Sequence, residues 1–356
     1  MTDNLKALGW NAELDAAWQN VTTEQCVPAR VVADYGQAYK VAMPQEVQAE
    51  ASGRMQHLLE THERPKIGDW VAVQILDNGR AAIHEVLPRR TEISRRRPGD
   101  LYERQVLAAN VDLAFLVQAL DDDFSPERLR RYIFQLQKAG IAPVIVLNKA
   151  DKADDIAAKV AELDPLNLKV IVISALEQTG VEQITELIAK GQTAVFLGSS
   201  GVGKSTITNT LLGEQRQQTA AIREDDSKGR HTTTHRELFV LPNGGLIIDT
   251  PGLRELQLWG TEDDLSASFS EIETLARECK FSNCSHHDEP GCAVLQAERD
   301  GVIDSAQLRD YFKFQQELRH LKTKVDAGAA AKHKQANKKI QKAYRKNVQW
   351  QKGELD

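Results

Sequence analysis

The eight residues "GSSGVGKS", Gly198 to Ser205, constrain this chain more than any other stretch. They follow an apolar run, "TAVFL", and open a stretch of helical character, "STITNTLLG", so a glycine-rich turn joins a buried strand to a helix. Such a turn wraps backbone N–H groups around phosphate oxygens, and the helix dipole favours the negative charge. Gly198, Gly201 and Gly203 free the backbone to do this, with Ser199, Ser200, Val202 and Thr206 completing the loop and its exit. Lys204 is read as neutralising the β and γ oxygens and Ser205 as ligating magnesium. A loop of this kind needs a parallel sheet behind it. The runs "NVDLAFLVQAL", "APVIVLN", "KVIVISA" and "GLIIDT" read as buried strands, and they alternate with helical "PERLRRYIFQLQKAG" and "GVEQITELIAKG". The expectation is a doubly wound α/β domain over 97–259, with its ligand at the carboxyl ends of the strands.

A phosphate loop does not by itself choose between adenine and guanine. Upstream of it, at the end of "VIVLN", stands "NKAD", Asn148, Lys149, Ala150 and Asp151. A carboxylate at 151 accepts from both the ring N–H and the exocyclic amino group of guanine; adenine offers neither, and buried sites of this type discriminate by about 10⁴. Asn148 is read as bracing the loop and Lys149 as lying along the base. After the next strand "SAL", Ser174, Ala175 and Leu176, can offer the Ala175 backbone N–H to the guanine oxygen. A P-loop kinase or ATPase has no use for such a reader.

The remaining elements lie downstream. "LIIDTPG" ends a strand in Asp249, read as holding magnesium through water, and carries Gly252, whose N–H would sense the γ-phosphate. Between it and the phosphate loop sits "DDSKGRHTTTH", where Thr233 is the choice for the second magnesium-binding hydroxyl and Thr232 and Thr234 are its alternatives. The order is thus base reader, its support, phosphate loop, first switch, second switch. Cutting a doubly wound domain between strands and joining its old ends preserves every strand position, so the domain is expected to be circularly permuted. After "DTPG" comes Leu253, which cannot orient an attacking water, and slow intrinsic hydrolysis follows. His231 is the internal candidate for the missing polar group, with RNA contact as its alternative role.

At 356 residues the chain exceeds one compact domain, and both flanks carry modules of their own. The first, 1–24, is a polar, amphipathic segment without the charged end and apolar core of a secretion signal. Over 25–96 short β-like runs separated by turn residues suggest a small β-barrel, of OB-fold or SH3-like type. "PRRTEISRRRPGD" is read as an arginine-rich linker. The 260–324 region is mainly helical and holds Cys279, Cys284, His286 and Cys292 in a C-x4-C-x-H-x5-C spacing, a closed set suited to one structural zinc, with His287 as the competing ligand. Cys26 stands apart and reads as a buried thiol. A basic helical tail, 325–356, ends the chain; between Arg319 and Lys352 eleven Lys or Arg face one acidic residue, Asp326. Such a tail tracks a phosphate backbone and weakens with salt. The net charge of −6 leaves room for this local patch. With no apolar run long enough for a bilayer and no secretion signal, a cytoplasmic location is expected, and a monomer is the expected state.

The motif order, with "ISRRRPGDLYERQVLAANVD", "REDDSKGRHTTTHREL", "IDTPGLRELQLW" and "CKFSNCSHHDEPGCAV", resembles the bacterial ribosome small-subunit-dependent GTPase family RsgA, also called YjeQ, over nearly the whole chain. The resemblance implies an OB-fold, a permuted G domain and a zinc-binding domain, with the zinc ligand at the first histidine, His286. It also implies binding of the 30S ribosomal subunit and its rRNA, late maturation of that subunit, and hydrolysis of GTP to GDP stimulated by it. A nucleotide-gated RNA-binding scaffold, in which hydrolysis is incidental, is the competing function.

Overall fold

Small and β-branched residues recur along the N-terminal runs at the period of two that a strand requires, and five such strands close on themselves. The computed structural model describes residues 3–21, 25–36, 38–43, 45–58, 63–96, 104–121, 123–213, 236–249, 265–266, 269–319 and 323. The chain divides into two units, Met1–Arg95 with Arg104–Gln257, and Arg96–Glu103 with Leu258–Asp356. In the first unit two short helices, α1 (Asp3–Ala7) and α2 (Ala12–Trp18), precede β1 (Val27–Asp34), β2 (Ala38–Ala42), β3 (Glu46–Ala51), α3 (Gly53–Leu58), β4 (Trp70–Ile75) and β5 (Ala81–Val86). The strands pair β1–β2–β3–β5–β4 and return to β1, a closed OB-type barrel filled by Val31, Val41, Val71, Val73 and Ile83.

β1 serves two layers at once. Strand alternation puts Val31 in the barrel core and its neighbour Val32 in a second one, and a register shift between Val31 and Ala33 bulges the strand at this point. That second core receives Leu5, Leu8, Trp10 and Leu14 from the segment read as polar. Trp10 meets Trp70 edge-on with ring centroids 4.8 Å apart. Arg30, 1% exposed, donates from Nη2 to Thr193 Oγ1 at 2.8 Å and to the Asn110 carbonyl at 3.3 Å, from Nε to the Gly68 carbonyl at 3.3 Å, and from Nη1 to the Leu8 carbonyl. Burial pushes its pKa down to about 10, against the pull of Asp112 and Asp69. It thereby ties the N-terminal helices, the barrel and the sheet beyond.

That sheet follows a two-stranded ribbon, β6 (Glu92–Arg96) with β7 (Arg104–Ala109). It comprises β8 (Leu113–Ala119), α4 (Pro126–Lys138), β9 (Ala142–Asn148), α5 (Ile156–Ala161), β10 (Val170–Val172), α6 (Glu182–Leu187), β11 (Thr193–Leu197), α7 (Lys204–Leu212), β12 (Arg236–Val240) and β13 (Leu246–Asp249). The spatial order is β10–β9–β8–β11–β13–β12, parallel except for β12. Alternate residues of β8 serve opposite faces: Phe115 and Val117 enter one core, Ala114 and Leu116 the other. From β8 the chain winds outward through β9 to β10, whereas from β11 it winds the other way, which makes the β8/β11 boundary a topological switch point. β12 also pairs antiparallel with β1, Ala33 opposite Glu237 and Asp34 opposite Arg236, so barrel and sheet are continuous.

The second unit holds α8 (Ser270–Ala276), α9 (Ala293–Arg299) and a helix over 305–319, α10, around Ile272, Val294, Leu308, Tyr311 and Phe314. Phe269 packs edge-on against Tyr311 and Phe314, and the Tyr311 hydroxyl donates to Glu273 at 2.9 Å. No helix among the described residues is long and apolar enough to cross a membrane.

Candidate nucleotide site and metal centre

Because β8, β9, β10, β11 and β13 are parallel, their carboxyl ends share one edge of the sheet, which brings Asp121, Asn148 to Asp151, Ser174 and Ala175, Gly198 to Ser205, and Asp249 together. Asn148, 3% exposed, donates from Nδ2 to the Val202 carbonyl at 2.8 Å and accepts from the Ala175 N–H at 3.0 Å. One amide thus spans the base-reader loop, its support and the phosphate loop. The N–H expected to meet the guanine oxygen is engaged by this brace. The Ser174 hydroxyl donates to Asp151 Oδ1 at 2.5 Å, fixing that carboxylate. Lys149 sits in the left-handed region, φ 65°, an uncommon conformation for a long side chain, and its Nζ meets Asp121 Oδ2 at 2.9 Å. Leu176 is 74% exposed.

The phosphate loop is held by backbone proximity. A Cβ on Gly198 would meet the Val117 carbonyl oxygen at 2.2 Å, and one on Gly203, φ 98°, would meet Asn148 Nδ2 at 2.2 Å. Only glycine allows both approaches. Lys204 opens α7, and its Nζ donates to the Gly198 carbonyl at 2.7 Å and to the Ser199 carbonyl at 2.6 Å. Asp249 ends β13 half-buried. Thr206, in the first turn of α7, accepts from Thr210 at 3.0 Å. His231, Thr232, Thr233, Thr234, Gly252, Leu253 and the basic tail lie outside the described residues, as do the last four residues, 97–100, of the stretch read as an arginine linker; the rest of that stretch is not a free linker, since Glu92–Arg96 is strand β6 and Arg89 pairs with buried Asp69 at 2.8 Å.

Three residues that carry no motif also belong here. Asp121, at the end of β8, pairs with Lys149; burial raises its pKa, but the Lys149 and backbone hydrogen bonds outweigh this and hold it low. Asp123 takes a two-pronged hydrogen bond from Arg128, at 2.8 and 3.0 Å, which holds its carboxyl below the usual range. Arg128 Nη1 also donates to Ser199 Oγ in the phosphate loop. Only the spatial meeting of α4 with the loop reveals this set.

In the second unit the ligand atoms of Cys279, Cys284, His286 and Cys292 lie within 4.8 Å of one another. Cys279 Sγ is 3.8 Å from Cys292 Sγ and 3.5 Å from His286 Nδ1, which is 3.4 Å from Cys292 Sγ. A tetrahedron with vertices about 2.3 Å from its centre has edges of about 3.8 Å. The sulfurs are too far apart for a disulfide, whose length is about 2.05 Å. The donor set therefore fits one zinc ion with no open position. His287 instead packs its ring against Phe312, centroids 4.7 Å apart. The knuckle is bound by Glu289, which accepts from the backbone N–H groups of Ser285 and His287 at 2.8 and 3.0 Å.

Numbered from its phosphate-loop strand, the sheet is that of a guanine-nucleotide hydrolase whose last three strands come first in the chain: the protein is a circularly permuted GTPase. Two solved structures share the fold. One, described as YjeQ from Thermotoga maritima, is 26% identical with a TM-score of 0.63, covering 82% of this chain and 98% of that one. The other, described as YloQ, a circularly permuted GTPase, is 23% identical with a TM-score of 0.60 over 84% and 97%. The RsgA GTPase family model matches residues 86–259. An ABC transporter model also matches, over 181–350, a range that contains the phosphate loop and lacks the base reader. A relative from Xylella fastidiosa, named small ribosomal subunit biogenesis GTPase RsgA, is 43% identical over 88% of this chain and 96% of its own. A relative of the same name from Opitutus terrae is 41% identical over 96% and 97%. The chain belongs to the RsgA GTPase family.

Proposed function

We propose that this GTPase binds the small (30S) ribosomal subunit through rRNA, assists its late maturation in the cytoplasm as a monomer, and hydrolyses GTP to GDP and phosphate under stimulation by that subunit. The observation that carries the reading is the Asn148 brace, which joins a guanine reader to a phosphate loop in a chain related end to end to proteins named for small-subunit biogenesis.

In the reaction Asp151, oriented by Ser174, accepts from the guanine edge, and the backbone of Gly198, Ser199, Ser200, Gly201, Val202 and Gly203 receives the phosphates. Ala175 turns its N–H from Asn148 toward the base oxygen or shares it, while Lys149, Ala150 and Leu176 border the base. Lys204 neutralises the β and γ oxygens, and Thr206 lies beside the α-phosphate. Ser205, Thr233 and Asp249 hold magnesium, which supplies charge neutralisation at the β and γ oxygens when bound, and Gly252 senses the γ-phosphate. Leu253 cannot orient the water, so His231 is proposed to do so once the subunit orders the first switch, a step worth about 10³ to 10⁵ in rate. The Cys3His set holds a structural zinc, and the basic tail meets rRNA.

GTP turnover with and without purified small subunits, at two salt concentrations, tests the reading. Turnover should rise with subunits and the rise should shrink as salt increases; identical turnover under all four conditions would refute it. His231→Ala should abolish the stimulated component while GDP affinity holds. Stimulated turnover that survives the substitution would remove His231 from the mechanism.

A further inference from the structure

The phosphate loop is braced at both ends, and only one brace belongs to a known motif. At its far end Asn148 holds the Val202 carbonyl. At its near end the corresponding arm is Arg128, whose guanidinium spans Asp123 and Ser199 Oγ. We propose that Arg128 is a positioning residue for the phosphate-binding lysine: it fixes the Ser199 peptide, whose carbonyl seats the Lys204 ammonium. The proposal rests on the reading of Gly198 to Ser205 as the phosphate site.

The arm is rigid from its root. "SPER" starts a helix: Ser125 caps α4 by accepting from the Arg128 N–H at 3.3 Å, and Pro126 supplies the fixed φ of the first turn. Ser125 is itself clamped to β8, since Gln118 Nε2 donates to its carbonyl and its N–H donates back to Gln118 Oε1, both at 2.8 Å. Asp123 then fixes the guanidinium plane through both of its oxygens, leaving the fork aimed at the loop.

The target matters chemically. Ser199 is held twice, by Arg128 at its hydroxyl and by Lys204 at its carbonyl, 2.6 Å from Nζ. Gly198 supplies the other carbonyl of the seat, 2.7 Å from Nζ, and has no side chain through which Arg128 could hold it. If the Ser199 peptide turns, Lys204 loses one of the two carbonyls that aim its charge. The loss then falls on ligands with β and γ phosphates and spares the guanine reader, which is built from Asn148, Asp151 and Ser174.

The test uses the full chain with Arg128→Ala, Arg128→Lys, Ser199→Ala and the Arg128→Ala/Ser199→Ala double variant, and Lys204→Ala as reference. GDP affinity is read by fluorescence titration and GMP affinity by ligand-observed NMR. Arg128→Ala should weaken GDP about tenfold, the loss of one charge-assisted hydrogen bond, and leave GMP unchanged. Arg128→Lys keeps the charge without the fork and should recover little, and the double variant should be no weaker than the worse single one. If Lys204→Ala weakens GDP and Arg128→Ala does not, the positioning role is wrong. Equal losses for GDP and GMP, or additive losses in the double variant, overturn it as well. If Lys204→Ala itself leaves GDP affinity intact, the phosphate-site reading fails and takes this proposal with it.

Discussion

The nucleotide site and the Cys3His cluster hold charged ligands by opposite constructions. The cluster draws its four ligands from Cys279 to Cys292, one knuckle between two short helices, and its cohesion is to come from metal bonds. The nucleotide site gathers backbone and side chains from five strand ends between Asp121 and Asp249, and its cohesion comes from buried sheet and from braces such as Asn148. A local site depends on its ligand and fails when that ligand leaves. A dispersed site depends on packing and fails when any distant packing element gives way.

The largest effect should therefore come from removing a zinc ligand. Cys292→Ser should lose the metal, and with it most of the about 10–16 kcal/mol that structural zinc contributes to such modules. Metal analysis together with proteolysis of 265–319 should report the loss, whereas GDP affinity, built from residues of the first unit, should hold. A GDP site that collapsed alongside the zinc module would break the comparison.

The converse case is a residue far from the nucleotide. Arg30→Ala removes a donor from the Thr193 hydroxyl and from the Leu8, Asn110 and Gly68 carbonyls in a buried joint, of which Gly68 keeps the Asn110 amide at 3.1 Å. With each buried acceptor left unsatisfied costing about 1–3 kcal/mol, a loss of several kcal/mol in the first unit is expected from denaturant titration followed by tryptophan fluorescence, with zinc content unaltered. Gly203→Ala should have the smallest effect on stability and a sharp one on binding. Its Cβ would displace Asn148 Nδ2, and about a hundredfold loss of GDP affinity is expected, near 2.7 kcal/mol. Wild-type affinity in that variant would show that the Asn148 brace is dispensable.

The same contrast explains what the sequence disclosed. The zinc set was legible because its ligands are neighbours, and the choice of His286 over His287 now has a physical basis in the ring contact of His287 with Phe312. The phosphate loop and the base reader were legible because each is a local chemical pattern, and their order implied the permuted sheet. Arg128 was not legible: it stands 71 residues from Ser199 and is one arginine among several in an amphipathic helix. Nor was the pairing of β1 with β12, or the burial of Leu5, Trp10 and Leu14, because local periodicity says which face of a segment is apolar and not which distant surface covers it.

β12 has a further consequence. The outer strand of a doubly wound sheet ordinarily presents a row of open N–H and C=O groups, an invitation to a second chain. Here the barrel's own strand occupies part of that row, Ala33 and Asp34 lying against Glu237 and Arg236, with Asp34 Oδ2 3.7 Å from the Arg236 guanidinium. The barrel thus covers part of an edge that would otherwise be open, and a chain shortened past it would offer that edge to its own copies.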